Sequence, residues 1–175
     1  MQYIGLLIAV VLVGIDRLTK WLVVSNMEYL ESISIIKIGG KEVLNFSYYL
    51  NDGAAFSKFE GKTAMLIGVT SVVIVTLIVL LLIKKIQRPS YIIAVSLIIG
   101  GGIGNLIDRV FNNGLVVDFI DFRIINFAIF NFADICAVCG AALIMILALT
   151  DEVKSHREKK RASAEGSEDR DNGND

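Results

Sequence analysis

The chain has 175 residues, of which 54 % are hydrophobic, and its formal net charge is -1. Soluble domains hold roughly 45–50 % apolar residues, so this composition, with a mean hydropathy of +0.64, argues for a single-domain membrane protein. The near-zero charge, without a basic face interleaved with aromatics, excludes nucleic acid as an expected partner.

Four apolar segments approach the spanning length of about 17–25 residues. The first, about 3–24, lies in MQYIGLLIAVVLVGIDRLTKW and is interrupted by Asp16, Arg17 and Lys20. It has no positive n-region and no A-x-A site, so it reads as a retained membrane helix rather than a signal peptide. After it, Leu44, Phe46, Tyr48 and Leu50 alternate with Asn45, Ser47 and Tyr49. A period of two predicts a half-buried strand. ESISIIKI is its expected partner, with Gly39-Gly40 as the turn. The uncharged run 63–83 predicts a second span, and 91–108 a third, ending at Asp108-Arg109. A fourth, about 132–149, has Asp134 near its start. Residues 151–175 are charged and poor in apolar residues, which predicts a disordered tail. The expected fold is therefore an all-α polytopic membrane protein, with four transmembrane helices and a small extracytoplasmic β-sheet or loop cradle. Residues 1–150 form one membrane-embedded domain.

Lys84, Lys85 and Arg88 between spans two and three, and Lys154, Arg157, Lys159, Lys160 and Arg161 after span four, predict cytoplasmic flanks. Both termini are then cytoplasmic, and loops 26–62 and 109–131 face outward. Four lysines in loop 26–62, offset by acids, are a weak counter-signal. With this topology Asp16, Lys20, Asn105, Asp108, Arg109, Asn131 and Asp134 share one level near the outer interface. Asp118 and Asp121, in VVDFIDF, lie in the outer loop. A charge near the bilayer centre costs roughly 2.5–3.5 kcal/mol. Lys snorkels to water, but Asp is short and does so poorly, so several acids at one level suggest a shared polar pocket.

Gly100, Gly101, Gly102 and Gly104 lack the spacing of a dinucleotide loop and lie inside an apolar span, where small residues let helices pack closely. Cys136 and Cys139 form a C-x-x-C without a second pair, and the only histidine, His156, is in the tail. Helix packing is the simple account of these as well. Hard-metal binding would need ligands closer in sequence than these acids. What remains is a carboxylate pair, one member protonated and the other a base, able to activate water and protonate a leaving amine. A transporter or proton relay also uses intramembrane acids, although usually near the midplane. A membrane scaffold that binds through its outer loop is a third possibility.

Five motifs, in order over residues 10–150, resemble the lipoprotein signal peptidases (signal peptidase II) of bacteria. They are DRLTK (16–20), NDGAAFS (51–57), GGIGNLIDR (101–109), VVDFID (116–121) and FNFAD (130–134). The resemblance implies an aspartyl endopeptidase of the bacterial cytoplasmic membrane, without metal or cofactor, its active site near the outer leaflet. It implies cleavage of prolipoprotein signal peptides before a diacylglyceryl-cysteine, and inhibition by cyclic peptide antibiotics such as globomycin. By position in the motifs, Asp118 and Asp134 correspond to the catalytic dyad. Asn51, Gly53, Asn105, Asp108, Arg109, Asn131 and Ala133 correspond to residues that bind substrate or support the site, and Asp16 and Lys20 to structural polar residues of helix one. The chain has Ala128 where the family often has Pro, and its two acids are 16 residues apart, slightly short for the family. Both features bear on the path of 122–131.

Overall fold

A computed structural model describes residues 1–53, 63–125 and 127–171. Ala54–Ser57 of the NDGAAFS motif, the rest of the 54–62 stretch, Asn126 and residues 172–175 lie outside the described residues. In chain order the elements are α1 (Gln2–Asn26), β1 (Ser32–Ile38), β2 (Lys41–Asn51), α2 (Thr63–Leu82), α3 (Pro89–Phe111), β3 (Val116–Phe122) and α4 (Phe132–Asp171).

Among the described residues three helices are long and apolar enough to cross a membrane: α2, α3 and the Phe132–Lys160 part of α4. At 1.5 Å per residue, the 20 residues of α2 span about 30 Å, the thickness of a bilayer core. α2 is apolar all round and buries only Ile74 and Leu81, leaving Val69, Val72 and Val75 on its surface. A helix so exposed and so apolar suits lipid rather than water. Pro89 opens α3, where a missing N–H costs nothing.

α3 is the central helix, and its glycines explain how closely α1 and α4 approach it. A Cβ at Gly100 would meet Leu12 Cβ at 2.8 Å, and one at Gly104 would meet Asp16 Oδ2 at 2.5 Å. One at Gly101 would collide with the Ala133 carbonyl, and one at Gly140 would come within 2.6 Å of the Ala94 carbonyl. The glycine run is therefore a packing surface, as expected. Ala9, Ile74, Leu81, Ile92, Val95 and Ile99 form the apolar core between α1, α2 and α3. At one end of the bundle Gln2 donates to the Ile86 carbonyl, and Arg88 and Tyr91 both bond Asp151. The opposite end carries the sheet.

The sheet runs β1-β2-β3, antiparallel throughout. Gly39 and Gly40, with φ of +58° and +79°, make the expected turn. Two features differ from expectation. VVDFIDF is a strand, not loop: it pairs with β2, Tyr49 facing Asp118 and Asn45 facing Asp121. On β2 the buried residues are polar, Asn45 and Ser47, whereas Phe46 is 40 % exposed. Asn45 donates to Ser32 and Glu42, and Ser47 to Asp121. Arg123 then ties the three strands through Ser32, Glu42 and Asp121. Burial follows this polar network rather than the alternation of apolar side chains.

α4 continues as helix to Asp171, through most of the stretch whose composition suggests disorder. Glu, Lys, Arg and Ala there are strong helix formers, and an established helix extends one residue at a time without a new nucleus.

Candidate active site

Asp118, 1 % exposed, is the third residue of β3. The Val117 N–H beside it donates to Asp108 Oδ2 at 3.2 Å, which anchors this strand to the end of α3. Asp134 sits in the first turn of α4. Asn131, just before the helix, accepts the Asp134 N–H at 3.0 Å, and its own N–H donates to Asp134 Oδ2 at 3.0 Å. This reciprocal pair is a capping box with Asn and Asp in its two positions. It fixes both residues by local geometry alone. The next orphan N–H, that of Ala133, donates to Asp16 Oδ1 at 3.1 Å. Ala133 is wholly buried against Asp16 and Gly104, where a larger side chain has no room.

Two asparagines connect the acids. Asn131 Nδ2 donates to Asp118 Oδ1 at 2.6 Å and to Asn105 Oδ1 at 2.9 Å. Asn105 Nδ2 donates to Asp134 Oδ1 at 2.7 Å. A third, Asn51, donates to Asp118 Oδ2 at 2.8 Å and accepts the Gly53 N–H at 3.1 Å. This short Asx turn is the part played by Gly53. All four carboxylate oxygens thus receive an N–H. Burial, and next the charge of Asp134, push the Asp118 carboxyl up to about 7, against the lowering effect of the Asn51 and Asn131 bonds.

Behind the asparagines lies an ion cluster. Lys20 Nζ is 2.9 Å from each of Asp16 Oδ2, Asp108 Oδ2 and Asn105 Oδ1. Arg17 pairs with the other oxygen of Asp108. Asp16 and Lys20, expected to be structural, do lie in this cluster, and Asp16 also reaches the helix that carries Asp134.

Beside Asp134 a cavity of ≈ 490 Å³ is lined by Asn51, Arg109 and Asp134 on its polar side and by Phe127, Ala128, Ile129, Phe130, Ile135, Val138 and Cys139 on the other. Buried Arg109 Nε has no hydrogen-bond partner among the described residues. Every site residue inferred from the sequence falls in this region. Asp121 stands apart, bonded to Arg123 at 2.9 Å and to Ser47. Cys136 is buried in helix packing, whereas Cys139 lines the cavity, a position that its spacing alone does not reveal. Arg17 and the Phe127–Phe130 wall also carry no sequence signal as site residues. The wall is recognisable only once the chain between β3 and α4 has folded over the cavity.

The arrangement joins buried Asp118 to half-buried Asp134 through amides, at the edge of an apolar cavity, and among the described residues no Ser or Cys beside a base shares it. It can share one proton and polarise a water. The family profile described as Signal peptidase (SPase) II matches residues 8–150. The lipoprotein signal peptidase of Brevibacillus brevis is 36 % identical over 149 residues, covering 85 % of this chain and 97 % of its own. That of Halothermothrix orenii is 40 % identical over 146 residues, covering 83 % and 93 %. A solved structure described as "Bacterial membrane enzyme structure by the in meso method at 2.3 A resolution" superposes with a TM-score of 0.77 at 34 % identity, covering 85 % of this chain and 88 % of that one. On the extent of these matches, the chain belongs to the signal peptidase II family of membrane peptidases.

Proposed function

We propose that this chain is an aspartic endopeptidase that removes signal peptides from lipoprotein precursors, cutting before a diacylglyceryl-modified cysteine. Asp118 and Asp134 are the catalytic pair. One carboxylate takes a proton from water as its oxygen attacks the scissile carbonyl carbon. The other, protonated, donates to the carbonyl oxygen, and a proton passes to the amine as the C–N bond breaks. The observation that carries this reading is the Asp118–Asn131–Asn105–Asp134 chain of hydrogen bonds, which links an acid of β3 to an acid of α4 that lines the apolar cavity. The apolar side of that cavity suits the acyl chains of the substrate. Its polar side, with Asn51 and Arg109, suits the peptide, and the same surfaces suit a globomycin-like cyclic peptide.

In this reading α1 is a fourth span, its charges satisfied within the bundle. Residues 1–150 are one membrane-embedded peptidase domain, and 151–175 a charged cytoplasmic extension. Both termini are cytoplasmic, and the sheet and the dyad lie at the outer leaflet. Cleavage of a diacylglyceryl-modified precursor by the purified Asp118→Asn and Asp134→Asn variants is the test. Each is expected to be inactive while still inserting in the membrane, and near-normal turnover by either would remove the assignment.

A further inference from the structure

Each asparagine of the site is oriented by a group that only donates. Asn51 Oδ1 takes the Gly53 N–H, and Asn131 Oδ1 takes the Asp134 N–H. Asn105 Oδ1 takes the Lys20 ammonium, a full charge that is 1 % exposed. An ammonium has three donors and no acceptor. Lys20 pairs as an ion with Asp16 and Asp108 and donates a hydrogen bond to Asn105. With Arg17 on Asp108, the two acids and two bases of the cluster balance. Of the contacts of Lys20, the hydrogen bond to Asn105 is the one that reaches a side chain bonded to a dyad carboxylate. A cation on an amide oxygen polarises the group and strengthens its N–H donors, and here the Asn105 donor points at Asp134 Oδ1, 2.7 Å away.

The rest of the surroundings favours the same side. Asp134 lies in the first turn of a long helix, where the macrodipole stabilises an anion. Asp118 lies on a strand, and its two side-chain donors are neutral amides. The charged groups near Asp134 are Asp16 and Lys20 from α1, Asp108 and Arg109 from α3, and Asp118 from β3. Arg109 interacts most with Asp134 and next with Asp118 and Asp108, and the Lys20 charge also reaches Asp118, so what distinguishes Asp134 is the hydrogen-bonded path from Lys20 through Asn105.

Resting on the dyad reading, we infer that Lys20 is a positioning residue: through the Asn105 amide it holds Asp134 as the ionised member that takes the proton of water, leaving the shared proton on Asp118. Lys20 touches neither substrate nor the reacting water.

The test uses the full chain in lipid nanodiscs with a diacylglyceryl-modified precursor. Lys20→Met is expected to lower kcat about 10–100-fold at neutral pH with KM changed less than about twofold. The deficit grows as pH is lowered and shrinks as pH is raised, because the base is the group losing support. Lys20→Arg, which keeps the charge, restores most of the rate. A loss independent of pH, or one confined to KM, overturns the inference. Asn105→Ala, which leaves the Asp16–Lys20–Asp108 cluster in place, keeps the test open if Lys20→Met does not fold. It is expected to show the same pH-sensitive loss, and a flat profile overturns the inference. Infrared difference spectra of the parent at neutral pH are expected to show a protonated-carboxyl band that disappears in Asp118→Asn; a band that persists in Asp118→Asn overturns it. If Asp118→Asn or Asp134→Asn is active, the dyad reading fails and the role of Lys20 falls with it. If both are inactive and Lys20→Met has a normal pH profile, the role of Lys20 alone is rejected.

Discussion

Two buried polar networks lie side by side, and they differ in what surrounds their acids. In the first, Asp16 and Asp108 have opposite charges to pair with, Lys20 at 2.9 Å and Arg17. In the second, Asp118 and Asp134 have like charge and are joined through asparagines. Burial penalises the ionised form of a carboxylate. A cation beside a carboxylate offsets that penalty, whereas neutral amides offset it only in part, and of two acids of like charge one is then favoured to hold a proton. Burial of an acid is therefore not the mark of the candidate chemistry; its partners are. The Arg123 network on the sheet is a third case, in which water screens the charges and little depends on any one of them.

The contrast breaks most completely at the dyad. Asp118→Asn and Asp134→Asn are each expected to reduce turnover about 10³-fold or more, with helix content by circular dichroism unchanged. At the paired network the large effect is on stability. Asp16→Ala leaves Lys20 short of a partner and frees the Ala133 N–H, and a broken buried pair is expected to cost about 3–5 kcal/mol, read as a lower unfolding midpoint in detergent.

A pH experiment sharpens the difference between the two. The Asp118 carboxyl is raised from 3.8 to about 7 in the folded chain. The folded state then binds more protons between those values, so its stability is full below about 4 and is lost as pH rises through about 7. The variant Asp118→Asn lacks this dependence. Its melting temperature minus that of the parent is expected to increase from pH 4 to 7 and level off above; a constant difference would show that Asp118 is ionised like an ordinary carboxylate. The smallest effect is expected at Asp121→Asn, which disturbs only the exposed Arg123 network. Its stability should change by less than about 1 kcal/mol, and precursor cleavage should stay within a few-fold of the parent.

Much of this was legible residue by residue. The apolar runs at 63–83 and 91–108 mark α2 and α3, because length and hydropathy alone meet the needs of a spanning helix. Gly39-Gly40 between two β-prone runs marks the hairpin. FNFAD marks Asn131 and Asp134 as a family motif, whereas the reciprocal hydrogen bonds that cap the helix between them appear only in the structure. The third strand was not legible, since VVDFIDF has no clean alternation and its partner Tyr49 is 69 residues away from Asp118. Nor was the burial of Asn45 and Ser47, which depends on Arg123 arriving from beyond β3.

Sequence by itself determined which segments are helical and apolar, which glycines permit close packing and which acids stand in motifs of the family. These are properties of periodicity, volume and local hydrogen bonding, and they act over a few residues. Only the tertiary structure decided which acids meet a cation and which meet an amide. That choice depends on α1, α3, β3 and the start of α4 converging at one end of the bundle. There Lys20 spans three acceptors from two helices, and Asn105 and Asn131 link two acids 16 residues apart.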